Sequence, residues 1–143
     1  MITVQTSVDS ADPHRLWRFW AAVLDIPIAW PDVDVLLAAG MATPDEIIMI
    51  DGHRAWSRGV ALVDPAGQHP RFLFTRVPEA KAGKNRLHLD LYVGLDERSA
   101  LVERVVALGA RTMYEASMGA HSWMTMADPE GNEFCISEPA KRR

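Results

Sequence analysis

The segment Leu87–Val93 carries a polar side chain at every second position. His88, Asp90 and Tyr92 alternate with apolar residues, and a period of two is typical of a strand with two different faces. An imidazole, a carboxylate and a phenol on one face could bind a ligand or move a proton, although an exposed edge strand gives the same pattern. Three roles are open to His88: a neutral histidine hydrogen-bonded to its neighbours, a ligand contact, or a general acid or base oriented by Asp90 or Tyr92.

The composition of the 143-residue chain fits one globular domain. Its formal net charge of -4 provides no basic surface for nucleic acid. The longest apolar runs are too short to cross a membrane, and the N-terminus lacks the pattern of a signal peptide. We therefore expect a cytoplasmic protein with neither a membrane nor a nucleic acid as partner. The single cysteine, Cys135, excludes an intramolecular disulfide.

Two parts of the chain repeat a strand followed by a helix. In the first part, Asp12 is predicted to cap the helix and Pro13 to occupy its first position, where a missing N–H costs nothing. In the second part, Asp96 is the predicted cap and Gly109 the left-handed residue after the helix. The predicted strands are 4–8 and 87–93, and the apolar segments of the two helices are 16–24 and 101–108.

Each part then closes with a hairpin that turns at Asp-Pro-x-Gly. The turns are Asp64–Gly67 and Asp128–Gly131. Proline fixes φ at the second position of a type I turn, and glycine suits the fourth. When the two parts are aligned on their helices and hairpins, the first carries a surplus of residues within 31–56.

The repeat and two further segments carry a family resemblance. The junction Arg76–Asp90 and the ending Asp128–Cys135 resemble the vicinal oxygen chelate superfamily, and more narrowly its glyoxalase/bleomycin resistance branch. The resemblance implies an α+β fold in which two tandem βαβββ modules form a cupped mixed sheet around a cavity, with helices outside, often in a homodimer. A single domain over 1–143 would then comprise module one at 1–78 with the insert 31–56, the junction at 79–86 and module two at 87–139.

The resemblance also implies where a metal ion would bind. Metal-dependent members hold a divalent ion with four cavity-facing side chains, and the matching positions here are Gln5, Leu73 (or Thr75 in a shifted register), His88 and Cys135. Both family carboxylates are missing, so the set suits Mg²⁺, Mn²⁺ or Ni²⁺ poorly. We expect no cofactor; if a metal is bound, its candidate ligands are Gln5, His88 and Cys135.

Strand alternation predicts the cavity-facing residues independently, provided that the large apolar residues face the helices. These residues are mostly polar, which indicates a binding cavity. They are Gln5, Ser7, Asp9, Leu73, Thr75, His88, Asp90, Tyr92, Glu133, Cys135 and Ser137. Cys135 is expected to be a wall residue; the alternative, a nucleophile, requires a lowered pKa.

Five tryptophans are many for this length. Trp17 and Trp20 are predicted to pack in the core, whereas Trp30, Trp56 and Trp123 are candidates for binding an aromatic ligand. Two short amphipathic helices are predicted in the insert, at 31–40 and 43–49, as a lid or a static plug. The basic residues around the junction either belong to a solvated linker or bind an anionic group; they are Arg71, Arg76, Lys81, Lys84 and Arg86.

Three functions fit these features. The favoured one is metal-free binding of an aromatic or amphipathic small molecule. The first alternative is a lyase, isomerase or dioxygenase that depends on a divalent metal, which the missing carboxylates disfavour. The second is a metal-independent enzyme with His88 as acid or base, for which the sequence defines no partner group.

Overall fold

A computed structural model describes residues 1–138 as parts of two compact units. Unit 1 is Met1–Ala80, and unit 2 begins at Lys81. Residue 139, the last of the predicted second module, and the basic tail Lys141–Arg143 lie outside the described residues. Within 1–138, no helix is long and apolar enough to cross a membrane.

Unit 1 contains a three-stranded sheet, a separate two-stranded hairpin and one long helix. Its elements are β1 (Gln5–Ser10), α1 (Pro13–Val23), α2 (Val33–Ala38), a 3₁₀ turn (Pro44–Glu46), β2 (Ile47–Ile50), β3 (His53–Trp56), β4 (Gly59–Leu62) and β5 (Arg71–Arg76). The sheet order is β1-β5-β4, with β1 parallel and β4 antiparallel to β5.

Helix α1 begins where the sequence predicts. The Asp12 carboxylate accepts a hydrogen bond from the backbone N–H of Arg15 at 3.1 Å, and Pro13 is the first helical residue. The helix packs on β4 and β5, and Trp17 and Trp20 are only 0% and 4% exposed. The core role predicted for these two tryptophans is therefore confirmed.

The insert follows the prediction in its first half and departs from it in its second. Helix α2 forms with Asp32 as its cap, but the segment predicted as a helix at 43–49 makes one 3₁₀ turn and then strand β2, which pairs with β3. The helix prediction was wrong because the run Ile47–Ile50 is rich in β-branched side chains, which favour strands. In addition, Asp51 and Gly52 have φ of 50° and 79°, the backbone of a tight hairpin turn that Asp-Gly favours.

Unit 2 has the βαβββ order predicted for the second module. Its elements are β6 (Leu89–Tyr92), a 3₁₀ turn (Leu95–Glu97), α3 (Arg98–Ala107), β7 (Arg111–Met118), β8 (His121–Ala127) and β9 (Glu133–Ser137). The sheet order is β6-β9-β8-β7, with β6 parallel to β9 and the other pairs antiparallel. As in unit 1, the first strand lies parallel to the last, and α3 packs on β7 and β9.

The residue that caps helix α3 differs from the prediction. Asp96 lies inside the 3₁₀ turn, and Glu97 holds the cap position without a side-chain hydrogen bond to the helix. The Glu97 carboxylate instead accepts the backbone N–H of Gly94 at 3.2 Å, which stabilises the extra turn. The other end matches the prediction, because Gly109 follows the helix with φ of 113°.

Both Asp-Pro-x-Gly turns form as predicted. The N–H of Gly67 donates to the carbonyl of Asp64 at 3.0 Å, and that of Gly131 donates to the carbonyl of Asp128 at 2.9 Å. Each aspartate side chain also accepts backbone N–H groups two and four residues later. The same side chain therefore stabilises the turn in each unit.

Candidate functional site

One face of the unit 2 sheet presents two rows of polar and aromatic side chains, set by the strand register. The first row is Asp90, Cys135, Thr125 and Tyr114, and the second is Tyr92, Ser137 and Trp123. The alternate residues of β9, Phe134 and Ile136, are 1% and 0% exposed. The polar face is thus left to form a site.

The two rows line a pocket of about 320 Å³. Four further residues complete its walls: Lys84, His88, His121 and Glu133. The volume is at the lower end of the range of roughly 300–1,000 Å³ for small-molecule sites. The pocket combines aromatic rings with polar groups, which is the usual composition of a small-molecule binding site.

His88 and Asp90 form a pair at the edge of the pocket. The Nδ1 atom of His88 lies 2.8 Å from Oδ1 of Asp90, and 38% of each side chain is exposed. When Nδ1 carries the proton, it donates to the carboxylate, which fixes the ring and leaves Nε2 as an acceptor. The pair could therefore contact a ligand or accept a proton from it.

Cys135 is a half-buried residue of the pocket wall. Its Sγ lies 3.8 Å from Oγ1 of Thr125. Burial and the negative charge of Asp90 raise the pKa of the Cys135 thiol, so the thiol is protonated at neutral pH. A nucleophilic cysteine needs the opposite shift, and this environment therefore disfavours the nucleophile alternative.

Glu133 ties the segment before β6 to strand β9. Its carboxylate accepts the backbone N–H of Asn85 at 3.0 Å and lies 3.2 Å from Nζ of Lys81. Burial raises the pKa of Glu133, but the bonds from Asn85 and Lys81 outweigh this, and the pKa lies below its usual value. Of the predicted basic cluster, Lys81 thus forms an internal ion pair, whereas Lys84 lines the pocket.

Four of the predicted site residues lie in unit 1, on one face of β1 and β5. Gln5 and Ser7 are hydrogen-bonded to each other at 3.2 Å, and the Gln5 carbonyl oxygen also accepts from Arg71. In the parallel register, Leu73 lies beside Ser7, and Thr75 is two residues further along the same strand face. A ligand-binding role for these four residues stays a prediction.

Trp30 and Trp56, the other predicted aromatic contacts, also lie in unit 1. The Trp30 ring stacks on His53 with ring centres 4.6 Å apart and meets the edge of Trp17 at 5.1 Å. The indole N–H of Trp56 donates to the Glu46 carboxylate at 3.1 Å. Both rings therefore have contacts within unit 1, and their binding role stays a prediction.

The sequence reasoning missed two pocket residues, Tyr114 and His121. They belong to the β7–β8 hairpin, whose alternating residues and Gly119 could have indicated it. Which side chains of β7 face the pocket was harder to predict, because a bulge at Met113 shifts the register of this strand. The bulge puts Tyr114, instead of Met113, opposite Thr125 and therefore in the pocket.

The donor atoms in unit 2 do not fit a manganese-type ion. Within residues 1–138, His88, Asp90 and Cys135 form a group whose ligand atoms lie within 4.8 Å of one another. The group offers one carboxylate and a protonated thiol, whereas Mg²⁺ and Mn²⁺ prefer oxygen-rich sets. Nitrogen, oxygen and sulfur together are ligand types of zinc.

Comparison with known proteins identifies the family. FosX, a fosfomycin resistance protein from Mesorhizobium loti, is 13% identical over 99% of this chain and 93% of its own, with a TM-score of 0.60. A mutant of FosX from Listeria monocytogenes, complexed with Mn(II) and 1S,2S-dihydroxypropylphosphonic acid, is 12% identical over 99% of this chain and 94% of its own, with a TM-score of 0.63. A glyoxalase/bleomycin resistance protein/dioxygenase family enzyme from Burkholderia phytofirmans is 15% identical over 95% and 97%, with a TM-score of 0.62.

These solved structures have the same fold as this chain, which confirms the predicted α+β fold. No curated protein matches the sequence. The sequence profile of the Glyoxalase-like domain matches residues 5–137. The chain therefore belongs to the glyoxalase-like domain family.

Proposed function

We propose that the unit 2 pocket binds an aromatic or amphipathic small molecule without a metal ion. The observation that carries this proposal is the set of aromatic rings on its walls, from Tyr92, Tyr114 and Trp123. The His121 ring lies 5.7 Å from the Trp123 ring at a tilt of 34°, which adds a further flat surface. Contacts between aromatic rings contribute about 0.5–1.5 kcal/mol beyond the area that they bury.

The donor set supports binding without a metal. Neither Leu73 nor Cys135 supplies the carboxylate that metal-dependent relatives are expected to have at these positions. The remaining carboxylate of the group, Asp90, is already hydrogen-bonded to His88 at 2.8 Å. The polar groups would therefore orient the ligand directly, by hydrogen bonds.

Tryptophan fluorescence of the full chain, titrated with a panel of aromatic metabolites and antibiotics, tests the proposal. Trp123 is the single tryptophan of unit 2, so a ligand in the pocket should quench its emission in a saturable way. The response should be lost in Trp123→Leu and kept in Trp20→Phe, which changes a tryptophan buried in the core of unit 1. Calorimetry with Tyr114→Ala should show weakened binding of the same compound. If no compound gives a saturable response, or if Trp123→Leu responds like the wild type, the proposal is wrong.

A second candidate is a metal-dependent reaction, and the convergence of His88, Asp90 and Cys135 within 4.8 Å favours it. These three residues would hold a zinc ion, which polarises oxygens of a bound substrate. Metal analysis of protein purified without chelator separates the two candidates. A near-stoichiometric divalent ion that is lost in His88→Ala would contradict metal-free binding.

The homodimer and the cytoplasmic location stay predictions from the sequence. Sedimentation equilibrium of the full chain measures the oligomeric state directly. A monomer at the concentrations used for ligand titration would remove the dimer from the proposed function without affecting the pocket, because every described pocket residue belongs to unit 2.

A further inference from the structure

We propose that the ligand of the unit 2 pocket is an aromatic anion, a flat ring system bearing a carboxylate or a comparable oxyanion. This inference rests on the proposed binding function and adds the charge of the ligand to it. The carboxylates of the pocket wall already have hydrogen-bond partners within the protein, whereas several of the donor groups of the wall have none among the described residues. In a recognition site, a buried group that finds no partner on the ligand costs affinity.

Both carboxylates of the wall already have partners. Asp90 accepts from the ring of His88 at 2.8 Å. Glu133 accepts the backbone N–H of Asn85 at 3.0 Å and pairs with Lys81 at 3.2 Å, in a contact where the two side chains are 11% and 18% exposed. A ligand cation would have to compete with these protein donors for either carboxylate.

Several donors of the wall, by contrast, have no partner among the described residues. Among residues 1–138, the hydroxyls of Tyr92 and Tyr114, the indole N–H of Trp123 and the His121 ring have no hydrogen bond to the protein. The indole N–H of Trp123 can only donate, whereas the tyrosine hydroxyls and the histidine ring can either donate or accept. A ligand with several acceptor oxygens would therefore satisfy the wall better than a ligand with donors.

Charge points in the same direction. Lys84 lines the pocket without an ion pair among the described residues, and its Nζ has only a long contact of 3.4 Å with the carbonyl of Asn85. The charge of Glu133 is balanced by Lys81, and the Asp90 carboxylate accepts a hydrogen bond from the ring of His88. Among the described residues, Lys84 is thus the cation of the wall that remains available to a ligand.

Three probes of nearly equal shape test the charge of the ligand: 2-naphthoate, its neutral amide 2-naphthamide, and the cation 2-naphthylmethylammonium. Calorimetry with the full chain should show that naphthoate binds about tenfold more tightly than the amide, since hydrogen bonds to charged groups are the stronger ones. The affinity for naphthoate should fall as salt is added, because salt screens exposed charges.

Lys84→Met should weaken naphthoate binding by about five- to tenfold, the range expected for a partly exposed charge contact, and leave the amide unchanged. Arg86→Met is the matched control, because Arg86 is an exposed cation close in sequence that does not line the pocket. Lys84→Gln serves as the second variant if Lys84→Met does not fold, as judged by circular dichroism.

The outcomes separate this inference from the proposed function. Equal or tighter binding of the amide or the cation would overturn the anion inference and leave aromatic binding intact. An equal loss of naphthoate affinity in Lys84→Met and Arg86→Met would also overturn it, because the effect would then be a general one of surface charge. Failure of all three probes to bind would overturn the anion inference, and only the absence of a saturable response across the whole fluorescence panel would overturn aromatic binding as well.

Discussion

Replacing Glu133 by glutamine should lower the free energy of unfolding by about 2 kcal/mol. This value lies between the contribution of an exposed ion pair and the cost of breaking a buried one. The amide of glutamine can still accept the N–H of Asn85, which lies 3.0 Å from the carboxylate in the native chain. The ionic contact with Lys81 is lost, and an ammonium group that is only 18% exposed is left without its counter-charge. The cost arises from this unpaired charge rather than from a change of shape.

The magnitude follows from the burial of the pair. Exposed ion pairs contribute about 0–1 kcal/mol, whereas breaking a fully buried pair costs about 3–5 kcal/mol. The Lys81–Glu133 pair lies between these limits, because its side chains are 18% and 11% exposed. Lys81→Met should also destabilise the chain, since the Glu133 carboxylate, which is 11% exposed, then keeps only its hydrogen bond from Asn85. The double variant should show a coupling of about 1–2 kcal/mol.

Urea denaturation followed by circular dichroism measures these free energies of unfolding. Glu103→Gln is the matched control, because Glu103 is exposed on α3 and the same substitution there should change stability by less than about 0.5 kcal/mol. Equal stabilities of Glu133→Gln and Glu103→Gln, or a coupling near zero in the cycle, would refute the argument that Glu133 holds the segment before β6 through Lys81.

Three further predictions concern other parts of the fold. The His69 side chain and the backbone N–H of Ala66 hold the pKa of Asp64 below its usual value. The ionised Asp64 therefore stabilises the fold above about pH 3.9, and this stabilisation is lost as the pH falls. In urea denaturation, the free energy of unfolding of Asp64→Asn should fall less than that of the wild type below about pH 4. Gly52→Ala should cost about 1–2 kcal/mol in urea denaturation, because residue 52 has φ of 79°. Cys135 should react slowly with iodoacetamide at neutral pH, and Asp90→Asn should accelerate the reaction, because burial and the Asp90 charge both raise the thiol pKa; unchanged kinetics would contradict this.

The parts of the fold that were predicted correctly are those governed by local chemistry. Asp12 and Pro13 predicted the start of α1, and the two Asp-Pro-x-Gly segments predicted both hairpin turns. The errors fall where two local preferences compete. The run Ile47–Ile50 has helix-start chemistry before it and Asp-Gly after it, and the turn at Asp-Gly determined the outcome.

The sequence predicts the residues of the site only where the strands are regular, because there successive side chains alternate between the two faces of the sheet. Alternation correctly grouped Asp90, Tyr92 and Cys135 on one face, because both strands are regular. The same reasoning fails for Tyr114, since the bulge at Met113 reverses the parity of β7 beyond that point. Hydrogen bonds such as that of Glu133 with Asn85 depend on long-range proximity, which spacing in the sequence does not encode.

Because of Asp90, the chemistry of this pocket cannot be inferred by aligning its residues with the metal ligands of the metal-dependent relatives. The family resemblance implies that His88 and Cys135 match metal-ligand positions, but Asp90 lies beside Cys135 in the strand register and is hydrogen-bonded to His88. The Asp90 carboxylate accepts a hydrogen bond from Nδ1 of the imidazole, and its charge adds to burial in raising the pKa of the thiol. A carboxylate at this position therefore keeps the thiol protonated and orients the imidazole toward the pocket, which suits recognition of a ligand by hydrogen bonds better than coordination of a hard metal ion.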